Sequence, residues 1–398
     1  MTAPYQQYEP SLLEPVYPQR TRKLEDLAVE LAAQTSQLTQ GLHPTVVSNL
    51  GDLVRSMNCY YSNLIEGHRT TPRDIEKALS QDLSNDPQQR DLQLEAKAHI
   101  EVQRLIDLDA GWQGDCPVSP AFMQRIHQAF YERLPANFWQ IDQVKVVPGQ
   151  FRTIDVQIGR HIPPYPETLC QFLVRFSQVY APTGLSKVDQ IIAVAASHHR
   201  FLWIHPFLDG NGRVVRLMSH AYFRQIGIGN SLWSVSRGLA RQVQDYRQLL
   251  DLADQQRQND YDGRGNLTMA GLIRFSEFFL ETCIDQVKFM ANLLEPQQLL
   301  ARIEAYVAIA ENIPSSTTTN NRRLLPGSFL ILKAAFLEGA IKRGEVSALT
   351  GYQERQARSV LKRLLEVGLL SSSSPKGPVS LAFPIFASEQ WFPRLWAE

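Results

Sequence analysis

The chain has little with which to cross-link itself. Its four cysteines, Cys59, Cys116, Cys170 and Cys283, are spread over 398 residues with no Cys-x-x-Cys pair. That argues against a disulfide framework or a thiolate zinc site and for reduced thiols in a cytoplasm-like compartment. Net charge is also missing: 40 Lys and Arg balance 40 Asp and Glu. No chain-wide basic footprint draws it to nucleic acid; only a local patch could. No run of roughly 18 apolar residues occurs, so no membrane partner is expected. The opening Met-Thr-Ala-Pro-Tyr-Gln-Gln-Tyr lacks the charged-then-apolar pattern of a secretory signal, and a cytoplasmic protein is expected. There is no internal repeat, no Gly-x-x-x-x-Gly-Lys-Ser/Thr phosphate loop and no set of kinase motifs.

A hydrophobic content of 44% suits a globular core and allows one to three domains. Apolar residues recur at helical spacing along most of the length. Residues 1–20, rich in Pro, Tyr and Gln, read as an extended arm. Helices are expected at 21–39, 44–66, 90–111, 186–202, 237–257 and 267–295. Two more open at Pro72, behind a Thr71/Asp74 capping box, and at Pro120. Val and Ile alternate with polar residues from Arg152 to Ile158, which predicts a strand inside a helix-free stretch, 144–166. Residues 312–327 are polar and breaker-rich and read as a linker. Beyond them, helices at 328–339, 344–350 and 353–367 precede a Ser-Pro-Lys-Gly turn and a strand-like Val379–Phe383 segment. This resembles a winged helix-turn-helix with its wing at 371–383. Arg355, Arg358, Lys362 and Arg363 lie on its candidate recognition helix, so DNA is one possible partner and another protein is the alternative.

One stretch concentrates the chemistry: Ile204-His-Pro-Phe-Leu-Asp-Gly-Asn-Gly-Arg-Val-Val-Arg216. A helical pattern follows it at once, so it reads as a loop feeding a helix N-terminus, where free N–H groups and the dipole favour an anion. Gly210 and Gly212 let the backbone come close to that anion. Arg213 and Arg216 share one face of the first turn and suit phosphate oxygens. Asp209 is a hard carboxylate fit for Mg²⁺ bridging phosphates. Asn211 adds a neutral donor. His205, with an ordinary pKa of about 6.5, is the natural base for an attacking hydroxyl. Phosphoryl or nucleotidyl transfer is the chemistry these groups support. A metal site at His198, His199 and His205 is a weaker alternative, since no carboxylate sits at zinc-ligand spacing.

His205-Pro-Phe-Leu-Asp209-Gly-Asn-Gly-Arg213-Val-Val-Arg216 resembles, without departure, the signature of the Fic-domain family. The resemblance implies a mainly α fold: a Fic helical core with a small β-hairpin flap, plus the C-terminal winged helix. It divides the chain into an N-terminal helical region (1–110), a Fic core (111–311), the linker and the winged-helix domain (328–398). It implies a protein adenylyltransferase that moves AMP from ATP, with Mg²⁺ on Asp209, to a Ser, Thr or Tyr hydroxyl of a target protein. Gly212 in place of Lys points to nucleotidyl transfer rather than phosphorylation. Ser62-Asn-Leu-Ile-Glu66-Gly67 resembles the family's inhibitory motif, so Glu66, with Ser62, would pair with Arg216 and displace it from the γ-phosphate. The nucleotide-lining set carried over is Ile158, Gly159, Arg160 and His161 on the flap, the loop and helix residues Asp209 to Arg216 including Val214 and Val215, and Tyr246. Asp245 stands where the family often has a first tyrosine, and Tyr246 reads equally as core. Homodimerisation is a further expectation. Two rival readings stay open: a DNA-binding regulator whose core only senses nucleotide, and an enzyme that removes AMP through the same site.

Overall fold

The computed structural model describes residues 9–108, 112, 114–141, 143–229, 231–313 and 322–397. The helices are α1 (Arg22–Gln37), α2 (Pro44–Ile65), α3 (Pro72–Leu79), α4 (Pro87–Asp107), α5 (Pro120–Tyr131), α6 (Leu169–Tyr180), α7 (Lys187–Ile204) and α8 (Asn211–Gln225). They continue with α9 (Val235–Arg241), α10 (Val243–Asp254), α11 (Met269–Leu294), α12 (Pro296–Glu311), α13 (Ser328–Glu338), α14 (Val346–Thr350), α15 (Glu354–Val367) and α16 (Ile385–Trp391). Two short antiparallel pairs complete the set: β1 (Gln140–Ile141) with β2 (Val144–Lys145), and β3 (Leu370–Ser371) with β4 (Ser380–Leu381).

The chain forms two compact units: residues up to Ser36 with Asn58–Val287, and Gln37–Met57 with Lys288 onward. The first is built around α7. Every residue from Ile191 to Phe201 is buried, so this helix is covered on all sides rather than on one face. Ala193, Ala195 and Ala196 keep it slim, and α6, α8 and α10 pack against it. In turn α8 packs on α5 and α4, which brings four helices to the loop between α7 and α8. In the second unit α12 packs on α16 and α13, and α13 meets α14, α15 and β4.

Local start signals act as the sequence predicts. Thr71 and Asp74 form a full capping box, Ser119 caps α5 and Ser186 caps α7. Several expectations are corrected. From residue 9 the supposed arm is packed: Pro10–Leu13 forms a 3-10 turn, and Leu13 and Val16 are buried. Residues 1–8 of it lie outside the described residues, as do 314–321 of the expected linker and the boundary at 110–111. The Arg152–Ile158 segment is no strand. Arg152 turns inward to bond backbone carbonyls, and only Ile158 and His161 form an isolated bridge. The single helix expected over 237–257 is two, broken at Gln242, whose backbone (φ −118°, ψ 35°) leaves the helical region. Helices α6, α12 and α16 were not anticipated. Among the described residues, no helix is long and apolar enough to cross a membrane.

Candidate active site

The site begins where α7 stops. His205 is its C-cap and adopts a left-handed backbone (φ 48°, ψ 61°). A non-glycine residue held there costs about 1–3 kcal/mol, so its surroundings must impose it. They do so from two sides. The Phe207 N–H donates to Asn211 Oδ1 at 3.0 Å, and Asn211 Nδ2 returns a bond to the Phe207 carbonyl at 2.8 Å. Arg152 Nε donates to the His205 carbonyl at 2.8 Å, and the Arg152 N–H to the Pro206 carbonyl at 2.9 Å. Asn211 therefore braces the loop, its Nδ2 donating to the Phe207 carbonyl. Burial, then the charges of Arg152 and His161, push the His205 imidazole down to about 4. It is neutral near pH 7 and carries a lone pair able to accept a proton.

The loop ends on Gly210, the N-cap of α8 (φ 79°, ψ 4°), which supplies no side-chain acceptor to the first N–H groups of the helix. A Cβ there would meet the Tyr131 ring at 3.2 Å in a backbone region that L side chains avoid. Gly212 is required by approach rather than by φ: a Cβ on it would overlap the Glu66 carboxylate and stand 3.1 Å from Arg216 Nη1. Glu66 thus lies over the first turn of α8, at the positive end of the dipole. Arg216 Nη2 donates to Glu66 Oε1 at 2.5 Å and to the Ser62 carbonyl at 3.3 Å, while its Nε donates to Ser62 Oγ at 2.9 Å. Burial alone would raise the Glu66 pKa. The charges of Arg216 and Arg213, with the Arg216 bond, outweigh it and hold the carboxyl below its usual range.

Arg213 leaves the helix toward α4. Its Nη2 donates to Glu95 and its guanidinium lies 5.3 Å above the Phe130 ring. His68 Nδ1 lies 2.6 Å from the second Glu95 oxygen, and this bond to Glu95 raises the imidazole pKa despite partial burial. Asp209 accepts a hydrogen bond from the Tyr131 hydroxyl on Oδ2, which leaves Oδ1 for a cation. Burial, then the Asp209 charge, raises the Tyr131 pKa and keeps the hydroxyl protonated. Tyr131 stacks on His127, which stacks in turn on Phe207 at 4.1 Å between ring centres.

At the flap, Ile158 and His161 exchange both backbone bonds at 2.9 Å around Gly159 and Arg160. His161 Nε2 donates to the Trp203 carbonyl at 2.7 Å, and Arg160 pairs with Asp251 at 2.8 Å on the surface. The structure brings Glu66, Ser62, Asp209, Gly210, Gly212, Arg213 and Arg216 together. Val214 and Val215 sit in the core. Tyr246 does not face the site either: it is buried, with its hydroxyl 2.8 Å from His198 Nε2. His198 also meets Ser219 Oγ at 2.9 Å, and His199 the Leu250 carbonyl at 3.1 Å, as packed core residues do. Among the described residues no three His, Cys, Asp or Glu groups converge on a metal position. Asp209 alone suits Mg²⁺, which takes most of its ligands from phosphates and water. Tyr131, Arg152, Glu95 and His68 were missed; no local motif marks them.

Residues 117–223 match the Fic/DOC family model. Over 79 residues the chain is 35% identical to the protein adenylyltransferase Fic of Drosophila erecta, a match that covers 20% of this chain and 16% of that relative. The fold is similar to that of a Fic family protein from Desulfovibrio desulfuricans G20 (TM-score 0.53, 16% identity, 92% of this chain and 98% of that one). It is also similar to Fic-1 from C. elegans (TM-score 0.53, 15% identity, 69% and 73%). With the loop, the helix N-terminus and the neighbouring imidazole in place, residues 117–223 of the chain form a Fic/DOC domain.

Proposed function

We propose that this protein is an adenylyltransferase that moves AMP from ATP to a Ser, Thr or Tyr hydroxyl of a target protein, and that Glu66 inhibits it from within. One observation carries the reading. The Glu66 carboxylate lies against Gly212 at the start of α8 and on Arg216, and the loop leading into that helix carries the neutral His205. An anion site occupied by the chain's own anion is what a competitor of a phosphate would look like. The similarity to a relative named protein adenylyltransferase supports the same reading.

In the reaction, the N–H groups at the head of α8 and the guanidinium of Arg216, once Glu66 has swung away, hold the phosphates. The neutral His205 imidazole takes the proton of the target hydroxyl. Its oxygen then forms a bond to the α-phosphorus in line, the α–β anhydride bond breaks, and pyrophosphate leaves with the electron pair. Asp209, through Oδ1, is the residue that would hold Mg²⁺, whose charge offsets that of the phosphates. The open edge of the flap at Ile158, which is 43% exposed, would align an extended segment of the target.

The test is intact-mass spectrometry of the Glu66→Gly protein incubated with ATP, alone and with candidate targets. A gain of one AMP that disappears in Glu66→Gly/His205→Ala is the expected result. No gain in Glu66→Gly, or an undiminished gain without His205, overturns the reading.

A further inference from the structure

The two arginines at the head of α8 are held by acids of different kinds. Glu66 follows the last turn of α2, with 33% of its side chain exposed. It can rotate away without disturbing a packed element. Glu95 lies in the middle of α4 with 5% of its side chain exposed, facing an Arg213 that is 7% exposed. A guanidinium buried to that degree needs its counter-charge, since removing one partner of such a pair leaves an uncompensated ion. Glu95 could leave only by unpacking α4. The pair is therefore a permanent part of the site, while the Glu66–Arg216 pair is a removable one.

The details fit a device that sets direction. Glu95 receives Arg213 on one oxygen and His68 on the other, so its carboxylate cannot rotate. Phe130 backs the guanidinium from a further side. Among the described residues Arg213 Nε, which is buried, has no hydrogen-bond partner, so a donor remains for a ligand at the head of α8.

We infer that Glu95, oriented by His68, is the positioning residue that fixes Arg213 for the transferring phosphates, so that Arg213 is a preset donor and Arg216 the switched one. The inference rests on the adenylyltransferase reading and adds a division of labour to it.

The experiment compares Glu66→Gly with Glu66→Gly/Glu95→Ala and Glu66→Gly/Glu95→Gln. It measures kcat and KM for AMP transfer, affinity for a non-hydrolysable ATP analogue by titration calorimetry, and thermal unfolding. Misaligning one donor is expected to lower kcat about tenfold or more in the Ala variant. Analogue affinity should change about threefold at most. Gln, which keeps an acceptor for Arg213, should recover most of the loss. An Ala variant faster than its parent would make Glu95 a second brake, and one equal to it a mere packing residue; either overturns the inference. If Glu95→Ala unfolds, Glu66→Gly/His68→Ala decides: His68 is half-exposed, and a loss of about threefold in kcat is expected, with unchanged kcat overturning the claim. A Glu66→Gly parent that transfers no AMP sinks the adenylyltransferase reading itself. A working parent with an indifferent Glu95 sinks only this one.

Discussion

Arg216 and Glu66 meet at 2.5 Å over the first turn of α8, against the one glycine whose missing Cβ makes room for the carboxylate. The arginine, the acid and the helix end form one unit: a buried cation neutralised by an acid that also lies against the first turn of the helix. Whatever displaces Glu66 must offer at least equal negative charge at the same place, as a polyphosphate does.

Gly212→Ala separates the two contacts that Glu66 makes. The added methyl overlaps the carboxylate and expels it, much as Glu66→Gly deletes it. The methyl then remains at the mouth of the helix, where a phosphate would have to approach. The expected outcome is loss of inhibition without gain of activity: no AMP transfer, nucleotide affinity reduced about tenfold or more, and a folded protein destabilised by about 1–3 kcal/mol because the buried Arg216 loses its acid. Calorimetric titration with ATP beside Glu66→Gly checks it. A Gly212→Ala protein as active as Glu66→Gly would show that the backbone there does not face the phosphates.

Arg152 ties His205, the proposed base, to the flap. Its guanidinium donates to the carbonyls of His205, Ile154 and Pro164, and its own N–H to that of Pro206. Lysine has no planar fork to reproduce this set. Arg152→Lys in the Glu66→Gly background is expected to lower kcat by about tenfold, with KM for ATP nearly unchanged, because His205 loses its enforced left-handed backbone while the phosphate cradle stays. Steady-state transfer kinetics decide. A pure KM effect would place Arg152 with the nucleotide instead.

How much of this was legible beforehand follows the range of the interactions. The loop from His205 to Arg216 announced itself because glycines, arginines and an acid lie within a few residues of each other, and the helix caps at Thr71, Ser119 and Ser186 because capping is local chemistry. The Glu66–Arg216 pair came only through resemblance to a family, since the two are 150 positions apart. Arg213–Glu95 and Tyr131–Asp209, 118 and 78 positions apart, left no periodic trace. The alternation at Arg152–Ile158 misled because a strand also needs a partner, and Arg152 took up the nearby carbonyls itself. Tyr246 sits on the inner face of α10, where its hydroxyl completes the bonding of the buried His198.

Tyr131 bears on the proposed Mg²⁺ position at Asp209. Its hydroxyl orients Asp209 through Oδ2, and Tyr131→Phe removes that bond while keeping the ring stacked on His127. In the Glu66→Gly background, transfer should be abolished by EDTA and restored by Mg²⁺. The Phe variant should need about threefold to tenfold more Mg²⁺ for half-maximal rate, as when an outer partner of a metal ligand is lost. A titration with the same half-point as the parent would leave Tyr131 as packing alone.

The pH dependence of stability follows from the buried histidines. Burial pushes His99 down to about 3 and His127 and His205 to about 4, and lowers His198 and His199 as well. In the unfolded chain each titrates near 6.5. Above that value both states are neutral and the groups contribute nothing. As the pH falls from about 6.5 toward 4, the unfolded chain takes up protons that the folded one refuses, so folding stability must decline through that window. His68 acts in the opposite sense, since its raised pKa favours the folded state at low pH, but it is one half-exposed group against five buried ones. Urea midpoints of the full chain at pH 7.5, 6.5, 5.5 and 4.5 should drop at each step, least between the first two, because the unfolded imidazoles are only half protonated at pH 6.5. A midpoint that stays level down to pH 4.5 would mean that these imidazoles are already charged in the fold, and with them the base at His205.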